Sequence, residues 1–547
     1  MIRFKQTPIG MIPENWEVVR LEDVVEINKE SRDPTRKTPN DKFLYIDIES
    51  IEGGAGVIKT IKEIIGKDAP LRARRVVHYN NIIMSTVRPY LKAFAIVPKE
   101  YDNQICSTGF AVFTCKKKIL PLYLLYALFS RSVIEQCNRM MVGGQYPALN
   151  SSQVAKIKVP LPPLIEQRKI AEILSTVDEA IQKVDEVIAK TERLKNGLMH
   201  EFLTKGINLF TFEKEKIMRP VKKAYGCGDH EFGREENLSS HLRSYLQEEF
   251  REYIVDTEVE KKGRLRPDII IHKRNTNVNL FAVEVKKVQN SRDIKDDVKK
   301  LEELMLKKYR YCESIFIGFN IEDFDFIFRL SNKINFILVA PDGEVRIKTR
   351  TKVKECDVVR LSDIGEVFTG KTPSTSNNTY WNGEISFITP GDIQEAKYAY
   401  KTERYVTLDG AKQAGRILPK DTVLVVCIGS TIGKSAMTYT ESVTNQQINA
   451  IICGEEAESH YVYYAISFKA ELLKSYSGVA AVPIIKKSLF ERFKIPLPLF
   501  PEQQKIAKLL STVDKKLELE RKRKEKLERI KRGLMNDLLT GKKRVEV

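Results

Sequence analysis

The sequence lacks the marks of a membrane or secreted protein. No apolar run approaches the roughly 18 residues needed to cross a bilayer, and the opening MIRFKQTPIGMIPENW has no apolar core of the secretory type. The eight cysteines include no CxxC pair, which argues against a disulfide framework or a zinc cluster. We therefore expect a cytoplasmic protein that does not contact a membrane.

Two kinds of catalytic motif are also missing. The chain contains no NPPY-like or DPPF-like motif for adenine methylation. The segment GSTIGKS, from Gly429 to Ser435, resembles a nucleotide-binding loop, but it has one residue too few between its first glycine and GKS. The sequence therefore predicts that this chain binds neither S-adenosylmethionine nor ATP.

Charge and length indicate the partner and the domain count. A formal net charge of +18 makes a polyanion the default partner, because lysine and arginine release counterions from a phosphate backbone. Charge alone would also suit RNA. The 547 residues exceed the roughly 250 to 300 that one hydrophobic core supports, so we expect three or four domains.

The chain contains an internal repeat. The segments KIKVPLPPLIEQRKIAEILSTVD and RFKIPLPLFPEQQKIAKLLSTVD, starting at Lys156 and Arg492, open two stretches that align without a gap. Paired positions lie 336 residues apart, namely Asp178 and Asp514, Gly197 and Gly533, and Thr204 and Thr540. Upstream, EVVRLEDVVEI (17–27) is echoed by DVVRLSDIGEV (357–367). The sequence predicts a duplicated unit, in which a strand-rich region precedes a long amphipathic helix.

The repeated helices carry a coiled-coil pattern. Apolar residues alternate in steps of four and three at Ile170, Leu174, Val177, Ile181, Val184 and Ile188. The second copy is interrupted by Glu520 and Lys524, and such polar interruptions usually set register or helix partner. About 40 helical residues span roughly 60 Å. Gly197 and Gly533 predict a close approach between helices, with accidental tolerance as the alternative.

These motifs resemble a known family. The opening IGMIPENWEVVRLEDVVEI, the run PLPPLIEQRKIAEILSTVD and its twin are similar to the specificity subunit of type I restriction-modification enzymes, over about three quarters of the chain. The resemblance implies two target-recognition domains that each read half of a split site in double-stranded DNA. It also implies helices that separate the two readers and dock two methylation subunits, with a restriction motor subunit as a further partner. Half-sites roughly 34 Å apart would fit such a reader.

Polar loops in both halves are the candidate readers of bases. The first half offers RPYLKAF (88–94) and GGQYPALN (143–150), and the second offers TGKTPSTSNN (369–378), GSTIGKS and TNQQIN (444–449). Basic side chains bond guanine or phosphate, and side-chain amides bond adenine. The candidate DNA-binding residues are Arg88, Lys92, Gln145, Tyr146, Lys371, Thr431, Lys434, Asn445 and Gln446. The alternative for each loop is an ordinary polar turn between strands.

Residues 212–350 have no counterpart in the repeat. Their pattern is a helix, three short strand-like runs, a charged helix and a further strand, which resembles the core of PD-(D/E)XK nucleases. The resemblance makes Asp268, Glu284 and Lys286 catalytic, with Glu249 or Glu248 as a further acid from the preceding helix. On a strand, Glu284 and Lys286 would share one face while the residue between them points into the core.

Phosphodiester hydrolysis requires hard oxygen ligands for a metal, a positioned water and a cation. The resemblance therefore assigns Asp268 and Glu284 as ligands of Mg²⁺, a cofactor expected only if the insert is an active nuclease. The alternative is a set of charged residues at a strand edge that face solvent and catalyse nothing.

The predicted fold class is α+β, with two recognition domains, two long coiled-coil helices and a central α/β nuclease-like domain. The predicted boundaries are 1–155 and 351–491 for the recognition domains, 156–211 and 492–547 for the spacer helices, and 212–350 for the insert. The leading hypothesis is a DNA-recognition subunit that assembles methylation subunits. The alternatives are a site-directed, Mg²⁺-dependent endonuclease, and an assembly platform whose recognition domains have lost specificity.

Overall fold

The structure is a computed structural model. It describes residues 3–59, 61–142, 144, 147–206, 209–226, 235–251, 253–257, 267–272, 279–287, 291–304, 311–319, 321, 324–331, 333–340, 344–349, 357–477 and 483–545. Among these residues, no helix combines the length and the apolar character needed to cross a membrane.

The first repeat begins with short strands and turns and ends in a long helix. Its strands are β1 (Phe4–Thr7), β2 (Gly10–Pro13), β3 (Glu17–Arg20), β4 (Val25–Ile27), β5 (Lys42–Ile46), β6 (Lys62–Ile65), β7 (Ala73–Val77), β8 (Ile82–Ser85), β9 (Phe94–Ile96), β10 (Gln104–Ser107), β11 (Phe110–Cys115) and β12 (Lys158–Leu161). Its helices are α1 (Leu21–Val24), α2 (Pro34–Lys37), α3 (Pro121–Leu128), α4 (Arg131–Met140), α5 (Ser151–Ala155) and α6 (Leu164–Lys205).

The insert is built on one mixed sheet. Its elements are α7 (Leu209–Gly226), α8 (Glu235–Glu249), β13 (Ile254–Thr257), β14 (Ile269–His272), β15 (Asn279–Lys287), α9 (Ser291–Leu304), β16 (Tyr311–Phe319), α10 (Phe324–Leu330), β17 (Asn335–Val339) and β18 (Val345–Lys348). The strands lie in chain order across the sheet. The pairs β13–β14, β14–β15 and β17–β18 are antiparallel, while β15–β16 and β16–β17 are parallel. Helices α9 and α10 make the crossovers that parallel neighbours require.

The second repeat has a similar element order. Its strands are β19 (Asp357–Arg360), β20 (Gly365–Thr369), β21 (Trp381–Ile388), β22 (Tyr398–Ala399), β23 (Arg404–Val406), β24 (Val423–Val426), β25 (Ser435–Thr438), β26 (Ser442–Thr444), β27 (Ile448–Cys453) and β28 (Lys494–Leu497). Its helices are α11 (Leu408–Ala414), α12 (Ser459–Phe468), α13 (Ala470–Ser475), α14 (Lys487–Glu491) and α15 (Phe500–Leu539).

The two repeats share a sheet topology. The strand order β4-β11-β8-β9 in the first repeat corresponds to β20-β27-β24-β25 in the second, and these four strands are antiparallel in both. The second sheet adds a fifth strand, β22, parallel to β25. In each repeat, a two-stranded ribbon, β3–β12 or β19–β28, leads directly into the long helix. The predicted α+β class with two long helices is confirmed.

Contacts divide the chain into two compact units. Unit 1 comprises Met1–Ile188 and Leu519–Val547, and unit 2 comprises Ala189–Glu518, so the boundary falls within both α6 and α15. The core of unit 1 packs α3 and its sheet against the first half of α6, and it includes Trp16, Phe113, Tyr123 and Leu174, all at most 1% exposed. A continuous core in unit 2 joins the insert sheet to the second repeat. The five predicted segment boundaries stay a prediction.

The coiled-coil pattern locates the buried seam of α6, where Ile170, Leu174 and Val184 are at most 3% exposed. Lys524, one of the polar interruptions, bonds Asp185 of α6 at 2.7 Å, so it does select a partner position on the other helix. The prediction that helices approach each other closely at Gly197 and Gly533 is wrong. In the described part of the chain, no atom beyond the glycine's own local helix lies within 4 Å of a Cβ added at either position.

Candidate nucleic-acid interface

The loops RPYLKAF and GSTIGKS occupy equivalent places in the two repeats. The first joins β8 to β9, and the second joins β24 to β25. The amide of Arg88 donates to the carbonyl of Pro147 at 2.9 Å, and the amide of Gly429 donates to that of Pro483 at 3.0 Å. The two repeats therefore build this loop on the same scaffold and place different residues in it.

The two loops also share an unusual backbone conformation. Arg88 and Lys92 have positive φ angles of 48° and 57°, and Gly429 and Gly433 have φ angles of 93° and 90° at the matching ends of the second loop. Glycine adopts this conformation without strain, whereas a side chain makes it unfavourable by about 1 kcal/mol. Strained residues persist mainly where their side chains have a function, so this backbone singles out Arg88 and Lys92.

The second candidate loop of the first repeat lies beside the first. Val87 and Val142 both form β-bridges with Ala148, which brings GGQYPALN against RPYLKAF. Within the loop, Tyr90 is 43% exposed, so an aromatic ring accompanies the two cations. Gln145 and Tyr146 lie outside the described residues.

Three loops meet in the second repeat. The hydroxyl of Thr372 donates to Oε1 of Gln446 at 2.7 Å, which links TGKTPSTSNN to TNQQIN. The amide of Cys427, just before GSTIGKS, donates to the carbonyl of Gln447 at 2.8 Å, which links the third loop to TNQQIN. Lys371, Lys434 and Gln446 are exposed. Asn445 differs from them, since it is 8% exposed and its side chain bonds Gln447 within the turn.

A cleft in unit 2 contains two of the candidates. It encloses about 410 Å³ and is lined by Pro390, Gly391, Ile393, Gln394, Glu395, Thr431 and Lys434. An ammonium, a hydroxyl and a side-chain amide converge on it. These are groups that bond phosphates or base edges.

Among the described residues of the insert, Glu284 has the most strongly shifted carboxyl pKa. It is 4% exposed on β15, and Nζ of Lys300 on α9 donates to its Oε1 at 2.7 Å. Its Oε2 has no hydrogen-bond partner among the described residues. Burial, with the nearby charge of Asp268, raises the pKa of Glu284 to about 8. Asp268 accepts a hydrogen bond from the amide of Val285 at 2.7 Å, which fixes it beside β15.

The other predicted acids and the lysine have different partners. Val285 is buried and Glu284 faces α9, as the strand alternation predicts, but Lys286 lies 3.5 Å from Asp297 of α9. Glu249 and Glu248 pair with Arg219 and Lys223 of α7, at 3.5 and 3.4 Å respectively. Helix α8 packs on the sheet face that buries Val285, whereas α9 covers the face of Glu284.

The donor set of the insert is small. Among the described residues, no group of three or more histidine, cysteine, aspartate or glutamate side chains is arranged to hold a metal ion. Asp268 and Glu284 still provide two carboxylates, and magnesium commonly binds one or two carboxylates and completes its shell with water. The chemistry of these two residues therefore fits magnesium.

The sequence reasoning missed two buried polar clusters at the long helices. Tyr126, Asp178 and Lys531 meet in unit 1, and Tyr464, Asp514 and Lys195 meet in unit 2. Every member of one cluster has its counterpart in the other repeat. The pairing of Asp178 with Asp514 was visible in the alignment, but their partners were not.

Two matched domains with different exposed loops, each continued by a long helix, define a duplicated recognition protein. The family model described as "Type I restriction modification DNA specificity domain" matches residues 13–193 and, a second time, residues 353–529. The chain belongs to this family and contains two copies of its specificity domain. The insert falls between the two matched ranges.

The curated proteins that the chain resembles are specificity subunits of type I restriction enzymes. The chain is 40% identical to the MjaIX specificity subunit of Methanocaldococcus jannaschii over 32% of its own length, and this match spans only 42% of that relative. It is 23% identical to the MjaVIII specificity subunit of the same organism, over 99% of this chain and 96% of the relative. The HindI specificity subunit of Haemophilus influenzae is 22% identical, over 84% and 82%. The crystal structure of an S subunit from M. genitalium covers 97% of both chains at 13% identity, with a TM-score of 0.47.

Proposed function

We propose that the chain is the DNA-recognition subunit of a type I restriction-modification system and reads a split site in double-stranded DNA. The observation that carries the proposal is the pair of equivalent loops after β8 and β24, which have one scaffold and different residues. Two readers with different residues in such loops would recognise two different half-sites. The net charge of +18 supplies affinity for the phosphate backbone.

The readers would act through different groups. In the first domain, Arg88 and Lys92 would bond guanine or phosphate, and Gln145 and Tyr146 stay candidates on the sequence alone. In the second, Lys371, Lys434, Thr431 and Gln446 would reach the DNA, while Gly429 would let the backbone approach closely. Asn445 would shape the turn that presents Gln446, because its amide is bonded within that turn.

Selection from a random-sequence DNA library at physiological salt tests this proposal. We expect two short conserved blocks separated by a gap of fixed length. Binding that weakens with salt but enriches no sequence would instead support the assembly platform without specificity. A single continuous block would overturn the bipartite reading.

Docking of two methylation subunits is the second part of the proposal. It is supported by a repeated surface on the long helices. Leu194 of α6 and Ile530 of α15 are 55% and 42% exposed, and each is preceded by an exposed arginine and followed, three positions later, by a glycine with open space around it. An exposed apolar residue beside a glycine allows another helix to approach closely. Two equivalent surfaces would accept two copies of one partner.

The docking surfaces can be tested one at a time. Leu194→Asp and Ile530→Asp should each reduce the number of methylation subunits that co-purify from two to one, without lowering the melting temperature. Leu71→Asp is the matched control, because Leu71 is 86% exposed and lies far from both helices in sequence. Unchanged stoichiometry in both variants would exclude these surfaces.

A restriction motor subunit is the further partner that we propose, and it would supply the ATP-driven steps.

A nuclease activity of the insert is the second candidate function. The order α8-β13-β14-β15-α9-β16, with β15 and β16 parallel, supports it, as does the buried, partly unpartnered Glu284 beside Asp268. A magnesium ion held by Asp268 and Glu284 would polarise a phosphodiester and activate water. Lys300 lies 2.7 Å from Glu284 and Lys286 lies 3.5 Å from Asp297, so both lysines are candidates for the cation. Glu249 is paired with Arg219 of α7, and it would have to break this ion pair to take part in catalysis.

Cleavage should be assayed with the purified chain and its selected DNA in magnesium without ATP. An active insert predicts cut ends that disappear in Glu284→Ala and persist in Glu344→Ala, an exposed position of the same insert. No cleavage in the unmodified chain would leave recognition as the only function, and cleavage that survives Glu284→Ala would exclude this site as its source.

A further inference from the structure

One carboxylate in unit 1 bonds two different elements at once. The hydroxyl of Tyr126, on α3 of the first recognition domain, donates to Oδ2 of Asp178 on α6 at 2.8 Å. Nζ of Lys531, on α15, lies 2.6 Å from Oδ1 of the same residue. Lys531 also lies 5.9 Å from the centre of the Tyr126 ring. Asp178 therefore joins the recognition domain, its own spacer helix and the other spacer helix.

Unit 2 contains the same cluster built from the repeated residues. The hydroxyl of Tyr464, on α12, donates to Oδ2 of Asp514 on α15 at 2.5 Å, and Nζ of Lys195 on α6 lies 2.7 Å from Oδ1. Lys195 is 5.7 Å from the centre of the Tyr464 ring. Each helix thus gives its aspartate to one cluster and its lysine to the other. We call these two sets of three residues the junction clusters.

The junction clusters are partly shielded from solvent. The side chains of Lys531 and Asp514 are both 15% exposed, and those of Lys195 and Asp178 are 22% and 31% exposed. Burial and the neighbouring aspartate raise the pKa of both tyrosine hydroxyls, so they remain donors. Ionic hydrogen bonds in such surroundings are short and directional, and they resist reorientation more than apolar packing does.

One more cation lies beside the second junction cluster. Nζ of Lys397 lies 3.3 Å from the Tyr464 hydroxyl and donates to Ser511 of α15 at 2.7 Å. Burial lowers the pKa of Lys397 to about 8. Asp514 is therefore close to two partly buried lysines, Lys195 and Lys397, whereas Asp178 bonds one lysine. Loss of the Asp514 carboxylate should therefore have a larger effect than loss of the Asp178 carboxylate.

We propose that the junction clusters are positioning elements that hold each recognition domain at a set angle on the helix pair, and so determine which gap between half-sites the chain accepts. This inference rests on the proposed reading of a split site. One base pair corresponds to about 3.4 Å along the DNA, so a modest tilt of a domain changes the preferred gap. None of the six residues is required to contact DNA.

Each cluster has a matched control on the same helix. The hydroxyl of Tyr123 donates to the carbonyl of Pro160 at 3.0 Å, and that of Tyr461 donates to the carbonyl of Pro496 at 2.9 Å. The first bond is buried and the second is partly buried, and both tie the helix to the short ribbon rather than to the two spacer helices. Tyr123→Phe and Tyr461→Phe therefore remove an equivalent bond without touching the junction clusters.

The experiment measures binding of the full chain to its selected site and to sites with the gap one base pair shorter or longer. In Tyr126→Phe and Tyr464→Phe we expect the preference for the natural gap to fall about fivefold, the factor typical of one lost hydrogen bond, with little change in which bases are read. Asp178→Asn and Asp514→Asn should do the same, the second more strongly. The control variants should keep the full preference.

The outcomes separate the two proposals. If the unmodified chain selects no fixed gap, the proposed split-site function fails. If it does, and Tyr126→Phe and Tyr464→Phe lower the melting temperature as the controls do but leave the gap preference unchanged, the junction clusters are structural only and this inference is overturned.

Discussion

Arg88 and Lys92 keep a left-handed backbone at the two positions where the equivalent loop has glycine. The strain at these residues is a local cost that a glycine would remove. Arg88→Gly should therefore remove about 1 kcal/mol of backbone strain, which offsets part of the stability lost with the side chain, while weakening DNA binding through the first half-site. Denaturant unfolding and half-site binding, measured on the same sample, test both effects.

Asn80→Gly provides the control for this prediction. Asn80 also has a positive φ, of 63°, but it lies outside the loop, and asparagine tolerates this conformation better than arginine does. It should change stability slightly and binding not at all. If Arg88→Gly binds DNA normally, Arg88 is not a reader.

Glu284 makes the stability of the insert depend on pH. Its pKa rises from the ordinary 4.5 to about 8 because burial and Asp268 favour the neutral acid. The folded state then binds a proton more tightly than the unfolded state, so this stabilisation is full below about pH 4.5 and is lost as the pH rises to about 8. Hydrogen exchange of β14 and β15, corrected for intrinsic rates, should show protection that decreases over this range.

Glu284→Gln should flatten that decrease, since the amide does not titrate, and Glu344→Gln should leave it unchanged. An identical pH dependence in Glu284→Gln and the unmodified chain would show that another group is responsible.

The sequence predicted that Glu284 and Lys286 share a face, because strand alternation is a local property. It did not predict their partners Lys300 and Asp297, which a separate helix brings to them.

The long helices were the most predictable elements. A spacing of four and three along α6 depends only on helix geometry, and it identified the seam residues Ile170, Leu174 and Val184. The interpretation of Gly197 and Gly533 failed for a physical reason. A helical glycine shows that a side chain is absent, but it does not show which neighbour, if any, uses the space.

Gly197→Ala and Gly533→Ala should each stabilise the isolated chain by about 1 kcal/mol, because both positions are helical, exposed and open. Thermal unfolding of the chain without partners measures this. The same variants should weaken association with methylation subunits if a partner helix approaches there. Destabilisation of the isolated chain would mean that the glycines pack against something within it.

At the scale of the whole molecule, duplication is the feature that the sequence showed most clearly. The alignment of two stretches predicted two domains of one topology, and the structure and the family model both show two copies. The junction clusters could not be predicted in the same way. Their members come from both repeats, and the contacts depend on how the helices pair.

Recognition of different half-sites by the two domains is the central claim, and two loop variants test it directly. DNA selection should be repeated with Arg88→Ala and Lys434→Ala beside the unmodified chain. We predict that each variant loses sequence preference in one block only, that the two blocks differ, and that the gap is unchanged. Loss of both blocks in either variant, or of the same block in both, would contradict a chain in which each domain reads its own half.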